Sequence, residues 1–369
     1  LLRVSIRNAF DKLKITVGTA SAHKGGWFTV YSWQLAGCRL SIGDRRGFYR
    51  ISDRQITADC QPPTAELILK ESSYPMESIP RFGLSCALAS PFQDDGSIDY
   101  RLLVTHARSC LDAGCSSVTV FGTTGEGASV SLAERAKMVG ALLSAGIDPR
   151  TELIGGIAST SIGDAVEQIR ILRDSGCGRI LLPPPFYFKG VSEEGLYDWF
   201  AKVLEKIADS FVGTILYHIP SVTQAPLSVD LVSRLRATFP ALVIGVKDSG
   251  GDWSFTQSLL RAHADLSILI GDERHLAAAV RLGAKGAISG LANLFPAVLL
   301  PLIERGKDDS RVTDLVTAIL KYPVTPAVKA LLGHRSGNKR WLKVRPPLVR
   351  LSEEEVKELG AAYDVLFGG

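Results

Sequence analysis

Ala241-Leu242-Val243-Ile244-Gly245-Val246-Lys247-Asp248-Ser249-Gly250-Gly251-Asp252 is a short apolar run closed by a lysine and then by turn formers. Such a run reads as a buried strand entering a loop. A lysine at that junction loses much of its water, and desolvation disfavours the ammonium form. A neutral amine can attack a carbonyl carbon and form an imine, which makes Lys247 a candidate covalent nucleophile. The same position also suits a strand-end lysine whose stem lies on apolar surface while its head reaches water. The rest of the chain decides between the two.

Outward from Lys247, the chain alternates. Apolar runs bounded by Gly, Pro, Asp or Ser occur at residues 82–89, 117–121, 152–157, 179–182, 213–217, 243–247, 267–270 and 286–289. Helical spacing fills the gaps: Leu102, Leu103, His106, Ala107 and Cys110 share one face of residues 100–113, and Val166, Ile169 and Leu172 repeat within residues 164–175. Ser131 followed by Glu134 predicts a capping box that opens another helix. Asp112-Ala113-Gly114, Asp174-Ser175-Gly176 and Leu282-Gly283-Ala284 end helices with glycine ahead of the next strand. Eight such units over about 210 residues predict an α/β fold, a closed (β/α)8 TIM barrel of parallel strands. Strands buried on both faces read as near-continuous apolar runs, as these do. An open doubly wound sheet is the alternative, but its glycine-rich phosphate loop is missing. After Ser289 the sequence predicts helices at 299–305, 311–320, 327–332 and 353–367, a C-terminal helical appendage.

These patterns divide the chain into an N-terminal extension at 1–75, a barrel at 76–296 and a C-terminal helical region at 297–369. Residues 1–75 hold 11 Lys/Arg and 6 Asp/Glu, whereas the remainder holds 31 and 32. The basic excess therefore belongs to the extension, and the main body carries no electrostatic footprint for nucleic acid. The extension shows no sustained period of 3.6 or 2. It reads as a basic targeting peptide, as a small accessory domain or, the preferred reading, as sequence upstream of a natural start at Met76. No apolar stretch approaches the ~18 residues of a membrane span. The six cysteines at 38, 60, 86, 110, 115 and 177 lack metal-ligand spacing and are expected to be reduced, as in a cytoplasmic protein. No metal or cofactor is expected.

In a barrel of this kind, chemistry sits at the C-terminal ends of the strands. That rule selects Thr123 and Thr124 after the second strand, Tyr217 closing the fifth, Lys247 closing the sixth, Gly271-Asp272-Glu273 after the seventh, and Ile288-Ser289-Gly290 at the eighth. Gly122-Thr123-Thr124-Gly125-Glu126 offers hydroxyls and free N–H groups in a tight turn, a concavity suited to a carboxylate. Tyr217 reads either as a proton shuttle or as a core phenol with a polar tip. Asp272 is a possible helix cap, and Glu273 a solvated residue of a first turn. Asp94-Asp95 reads as a turn, and Lys339, Arg340, Lys343 and Arg345 as a solvated basic face.

The ordered set Gly-Thr-Thr-Gly-Glu, Tyr-His-Ile-Pro, Gly-Val-Lys-Asp, Gly-Asp-Glu and Gly-Ala-Ile-Ser-Gly-Leu-Ala-Asn resembles the dihydrodipicolinate synthase/N-acetylneuraminate lyase family over about residues 80–368. That family comprises class I aldolases and lyases. The resemblance implies that Lys247 forms an imine with pyruvate or another 2-oxo acid, that Thr123 and Thr124 bind its carboxylate, and that Tyr217 moves protons. It implies a relay completed by Thr124 and by Tyr187 from a neighbouring subunit, in a homotetramer or homodimer. It also implies that Ile288 and the Gly271 backbone line the pyruvyl pocket.

One departure bears on the substrate. Synthases of this family carry an arginine for the aldehyde's carboxylate where this chain has Val222 in Tyr217-His218-Ile219-Pro220-Ser221-Val222-Thr223. A valine makes no bidentate carboxylate contact. The expected activity is therefore retro-aldol cleavage or dehydration of a 2-keto-3-deoxy sugar acid, with His218, Ser249, Asp272 and Glu273 available to hydroxyls. Condensation of pyruvate with aspartate semialdehyde, the 4-hydroxy-tetrahydrodipicolinate synthase reaction, is the alternative. A non-catalytic 2-oxo-acid-binding regulator is a third reading, disfavoured by the presence of both Tyr217 and Lys247.

Overall fold

The computed structural model describes three strands between residues 14 and 42, and residues 81–210 and 212–368. The chain divides into two compact units, Leu1–Tyr74 and Pro75–Gly369. In the first, β1 (Lys14–Ala22), β2 (Gly26–Leu35) and β3 (Cys38–Ile42) form an antiparallel meander, with Lys14 opposite Gln34 and Leu35 opposite Cys38. The sequence reading found no period here. β2 is so rich in aromatic and β-branched residues that its strand preference needs no polar alternation. Met76 and the breakers at 61–64 and 72–75 lie outside the described residues.

The second unit starts with β4 (Gly83–Ala87), α1 (Tyr100–Asp112), β5 (Ser117–Val120), α2 (Leu132–Ser144), β6 (Leu153–Gly156), α3 (Ile162–Asp174), β7 (Arg179–Leu182) and α4 (Glu193–Lys206). It continues through β8 (Gly213–His218), a single turn α5 (Pro220–Thr223), α6 (Val229–Thr238), β9 (Val243–Asp248), α7 (Trp253–Ala262), β10 (Ser267–Ile270), α8 (Leu276–Arg281) and β11 (Gly286–Ser289). The eight strands β4 to β11 are parallel and close on themselves, β11 pairing with β4. This is the predicted TIM barrel. The predicted capping box opens α2, with Ser131 and Glu134 bonding each other's backbone N–H. Asp99, Ser161, Ser192, Ser228 and Asp252 cap other barrel helices, satisfying N–H groups that a helix start leaves unpaired.

Strand alternation creates two cores. Ala87, Ile154, Leu181, Ile215, Tyr217, Leu269 and Ile288 fill the barrel interior, while the larger apolar cluster lies between strands and helices. Tyr217, Lys247 and Leu269 are register partners across β8, β9 and β10. Paired residues of neighbouring strands share a face, so Lys247 points inward with the other two.

Four helices follow: α9 (Pro296–Arg305), α10 (Ser310–Ile319), α11 (Val324–Ser336) and α12 (Glu353–Phe367). The expected boundary at 296/297 falls inside α9. That helix packs against β4 and α8 and completes the ring of eight, which leaves α10 to α12 as the appendage. The appendage is fastened to the barrel by charge. The Lys329 ammonium meets the Glu126 carboxylate at 2.6 Å with both side chains fully buried. Arg345 pairs with Glu134 at 2.5 Å and donates to the Gly96 and Ser129 carbonyls. Arg340 pairs with Asp99, and Lys343 with Asp94 in its turn. Three of the four basic residues expected to form a solvated face, Arg340, Lys343 and Arg345, are thus clasps, because acids spread along the barrel sequence converge on them; Lys339 is exposed as expected.

Breaking a buried pair strands a charge at a cost of about 3–5 kcal/mol. We expect Lys329→Met to lower urea-unfolding stability by that amount, and Glu126→Gln with Lys329→Met to recover part of it. The Arg345 guanidinium holds the Glu134 carboxyl down at about 2 against an ordinary 4.5. A depressed carboxyl stabilises fully above its unfolded value and loses that contribution as pH falls toward the folded one. The unfolding midpoint should therefore drop between pH 4.5 and about 2, and less steeply in Arg345→Met.

Candidate active site

The site is built first on the turn after β5. Phe121 (φ 60°) and Glu126 (φ 53°) both occupy the left-handed region, which costs a residue with a side chain about 1–3 kcal/mol. The surroundings hold them there. The Arg135 guanidinium lies 4.5 Å from the Phe121 ring centre, and Glu126 is gripped by Lys329 and by the Arg345 N–H at 2.8 Å. Gly127 has no alternative, since a Cβ there would stand 1.8 Å from the Phe121 oxygen. Thr325 Oγ1 donates to the Thr123 carbonyl at 3.1 Å, and Ser90 to that of Gly125 at 2.7 Å. Among the described residues, the N–H groups of Thr124 and Gly125 donate to no other backbone group. The turn is a rigid cradle with donors to spare, which is what a carboxylate requires.

β8 and β9 bring Tyr217 and Lys247 to it. Tyr217 is 4% exposed and Lys247 is 5% exposed. Lys247 Nζ donates to Tyr217 Oη at 3.3 Å, and Tyr217 Oη lies 3.3 Å from Thr123 Oγ1. Amine, phenol and hydroxyl thus form one chain. Both contacts are long, as those in catalytic sites without substrate commonly are. Gly271 flanks the amine on the other side. A Cβ there would fall 2.0 Å from Ser249 Oγ and 3.0 Å from Lys247 Cε, so only glycine leaves the lysine its channel. Ile288, fully buried, packs in the interior cluster with Tyr217, and Thr124 is 8% exposed beside Gly290.

Other expected residues have different surroundings. Asp272 caps the short turn Glu273–His275, with its carboxylate on Arg274 at 2.6 Å. Burial works to raise its pKa, but the Arg274 guanidinium outweighs that and lowers it. Glu273 is not solvated. It is buried, accepts from Ser289 Oγ at 2.5 Å, and burial raises its pKa. His218 is stacked on Phe255 with ring centres 4.2 Å apart. Its Nδ1 accepts the Leu227 N–H at 3.0 Å, and burial lowers its pKa, so it is a packed neutral ring. Tyr187 is 73% exposed and meets Phe188 edge-on at 5.3 Å rather than the Lys247 group. Val222, on α5, is 54% exposed.

Sequence reasoning missed Lys329, Thr325 and Asn293. A lysine inside Pro326-Ala327-Val328-Lys329-Ala330-Leu331-Leu332 was a signal, because an uninterrupted apolar helix tolerates a charge only when it is paired. Asn293 accepts the Ala89 N–H at 3.0 Å and donates to the Ala87 and Gly290 carbonyls, both at 2.8 Å, joining the ends of β4 and β11. The described residues contain no cluster of three His, Cys, Asp or Glu able to hold a metal ion. No single described helix is long and apolar enough to cross a membrane.

Residues 81–365 match the dihydrodipicolinate synthetase family. An uncharacterised DapA-like lyase of Chloroflexus aurantiacus is 34% identical over 298 residues, 78% of this chain and 97% of that protein. A solved dihydrodipicolinate synthase from Agrobacterium tumefaciens is 49% identical with a TM-score of 0.76, covering 78% of this chain and all of that one. A dihydrodipicolinate synthase from Acinetobacter baumannii, solved with pyruvate, is 26% identical with a TM-score of 0.70 over 77% of this chain and 98% of its own. The chain belongs to the dihydrodipicolinate synthetase family of lyases and aldolases.

Gly271→Ala tests the channel. A displacement of about 1 Å at a reacting atom costs about 100-fold in rate. We expect a loss of that order in any reaction at Lys247, read by turnover, with the far-ultraviolet circular dichroism spectrum unchanged.

Proposed function

We propose that the protein is a Schiff-base lyase in which Lys247 condenses with a 2-oxo acid. The observation that carries this reading is the chain from Lys247 Nζ through Tyr217 Oη to Thr123 Oγ1, with 3.3 Å steps, at the C-terminal end of a closed barrel. The substrate carboxylate lies on the Thr123–Thr124 turn, which presents the keto carbon to the amine. The neutral amine attacks that carbon. The resulting carbinolamine loses its hydroxyl as water, the proton coming from the Tyr217 phenol. The protonated imine then draws electrons from the C3–C4 bond, which breaks to an enamine as the Tyr217 phenolate takes the proton of the C4 hydroxyl and an aldehyde leaves. Tyr217 returns that proton to the enamine carbon, and water releases the 2-oxo acid from Lys247.

The substrate we propose is a 2-keto-3-deoxy sugar acid. Val222 supports this, since it offers no charge to a second carboxylate; Lys189, which meets the end of α5, is engaged by the Phe186 and Thr223 carbonyls, and Arg274 is already paired with Asp272. The synthase reaction is the second reading, favoured by the 49% identity to the Agrobacterium chain. We further propose that two or more copies assemble through the exposed Tyr187 and Phe188, so that Tyr187 of the partner subunit completes the relay.

Borohydride added with pyruvate should fix a reduced pyruvyl group on Lys247, seen by peptide mass spectrometry. An unmodified lysine would overturn the imine. NMR of a panel of 2-keto-3-deoxy acids beside pyruvate plus aspartate semialdehyde should show consumption of the former. Consumption of the latter alone establishes the second reading, and no consumption leaves a binding protein. Tyr217→Phe should keep the fold and lower turnover by about 100-fold or more. Val222→Arg should raise whatever activity exists with the semialdehyde.

A further inference from the structure

Outside the barrel, a cavity of about 300 Å³ lies between α1, α11 and the turn that follows β11. Its size is at the lower end of the range for small-molecule sites. None of Lys247, Tyr217 and Thr123 lines it. Most polar groups of its inner wall are already bonded to one another. Asn293 Nδ2 donates to the Ala87 and Gly290 carbonyls, so its Oδ1 is the acceptor for His106 Nε2 at 2.9 Å. The Cys110 thiol donates to the Ala292 carbonyl at 3.7 Å.

Trp341 is the exception. It is 2% exposed, and a buried indole N–H normally has an acceptor. Among the described residues it has none. Neither is it sealed, because the partnerless side-chain polar atoms closed off from water are Ser117 Oγ, Arg179 Nε and Thr214 Oγ1. The indole N–H therefore opens onto space, and the space that Trp341 lines is this cavity. The His106 ring packs edge-on against the indole at 4.8 Å and fixes its plane. Arg335 stands exposed at the entrance. Its Nη1 donates to the Leu294 carbonyl, which ties the guanidinium there, and no carboxylate among the described residues pairs with it. No Asp or Glu lines the cavity, whereas Leu294, Pro296 and Leu332 give it an apolar wall. A cation and an unused N–H around an acid-free, largely apolar space suit an anion with an apolar body.

We propose that this cavity is a binding site for a small monocarboxylate with an apolar body. One carboxylate oxygen accepts from the Trp341 indole N–H and the other from the Arg335 guanidinium, while the body lies against Leu294, Pro296 and Leu332. Hydrogen bonds to an ionised acceptor are the stronger kind, so the two donors outweigh the loss of water around one carboxylate. A dicarboxylate fits less well, because the lining holds no second guanidinium or ammonium group. The site is separate from the imine chemistry proposed at Lys247 and does not depend on it.

The test labels the full chain with 5-fluorotryptophan and follows it by fluorine NMR. The Trp341 resonance, among those of the five tryptophans, is assigned by its loss in Trp341→Phe. Benzoate is the probe. It should shift the Trp341 resonance saturably, with a Kd of about 1 mM or tighter. Benzyl alcohol, which has the same ring and no charge, should bind at least about tenfold more weakly. Arg335→Gln keeps a donor for the Leu294 carbonyl and removes the charge, and it should weaken benzoate by at least about tenfold. Thr123→Val, which alters only the turn at the barrel mouth, should leave the shift and the Kd in place. Absence of a saturable shift, equal binding of benzyl alcohol, or an unchanged Kd in Arg335→Gln would overturn the proposal. Loss of the shift in Thr123→Val would place the benzoate at the barrel mouth and overturn it as well. The readout involves no turnover, so a failure here leaves the reading of Lys247 untouched.

Discussion

A contact between one carboxylate and one ammonium, Glu126 with Lys329, holds together parts of the chain about two hundred residues apart. It has no exposure on either side, so each charge depends on the other for most of its solvation. The pair joins the turn after β5, with its unpaired N–H groups, to the helical appendage behind it. Through it, α11 presses the β5 turn into a backbone shape that two of its residues would not adopt alone. The geometry of Thr123 and Thr124 is therefore set by the last third of the sequence. The Arg345 backbone and side chain reinforce the same connection from a second direction.

Tyr217 and Lys247 need less outside support, because the sheet itself aligns them. Register pairing of Tyr217 with Lys247 puts phenol and amine side by side on the inner face. The neighbouring strand contributes an absence, the hydrogen in place of a side chain at Gly271. The site combines a stiff sheet, a strained turn held from behind, and a gap where a methyl group would block the lysine. Each element does something the others cannot. The strands fix separation, the turn supplies unpaired N–H groups, and the gap leaves the amine an approach path.

Much of this was legible in the sequence because it depends on local pattern. All eight barrel strands appear as short apolar runs, and strand ends point directly to Thr123, Tyr217 and Lys247. What was illegible depends on pairing over long separations. Glu273 looks like a first-turn acid until Ser289 arrives to cover it. Arg345 looks solvated until Glu134 and Gly96 come within reach. His218 looks like a polar residue at a strand end, yet Phe255 and Leu227 bury both faces of its role. The strands of the first unit escaped because aromatic residues obscure a period of two. In each case the local residue type was read correctly and the partner was missing.

The clasps are unevenly distributed around the rim. Glu273 with Ser289, Asn293 with Ala87 and Ala89, and Glu126 with Lys329 all lie on the arc from β10 through β11 and β4 to β5. The loops after β7 and β8 form much of the other arc, and they carry the exposed Tyr187, Phe188, Val191 and Val222. One arc of the rim is thus held by buried side-chain bonds, whereas the other presents exposed apolar side chains and is tied at its surface by Lys189 to the Phe186 and Thr223 carbonyls. Sequence change can reshape the exposed arc without disturbing the buried bonds of the other, which lie beside the strand carrying Lys247.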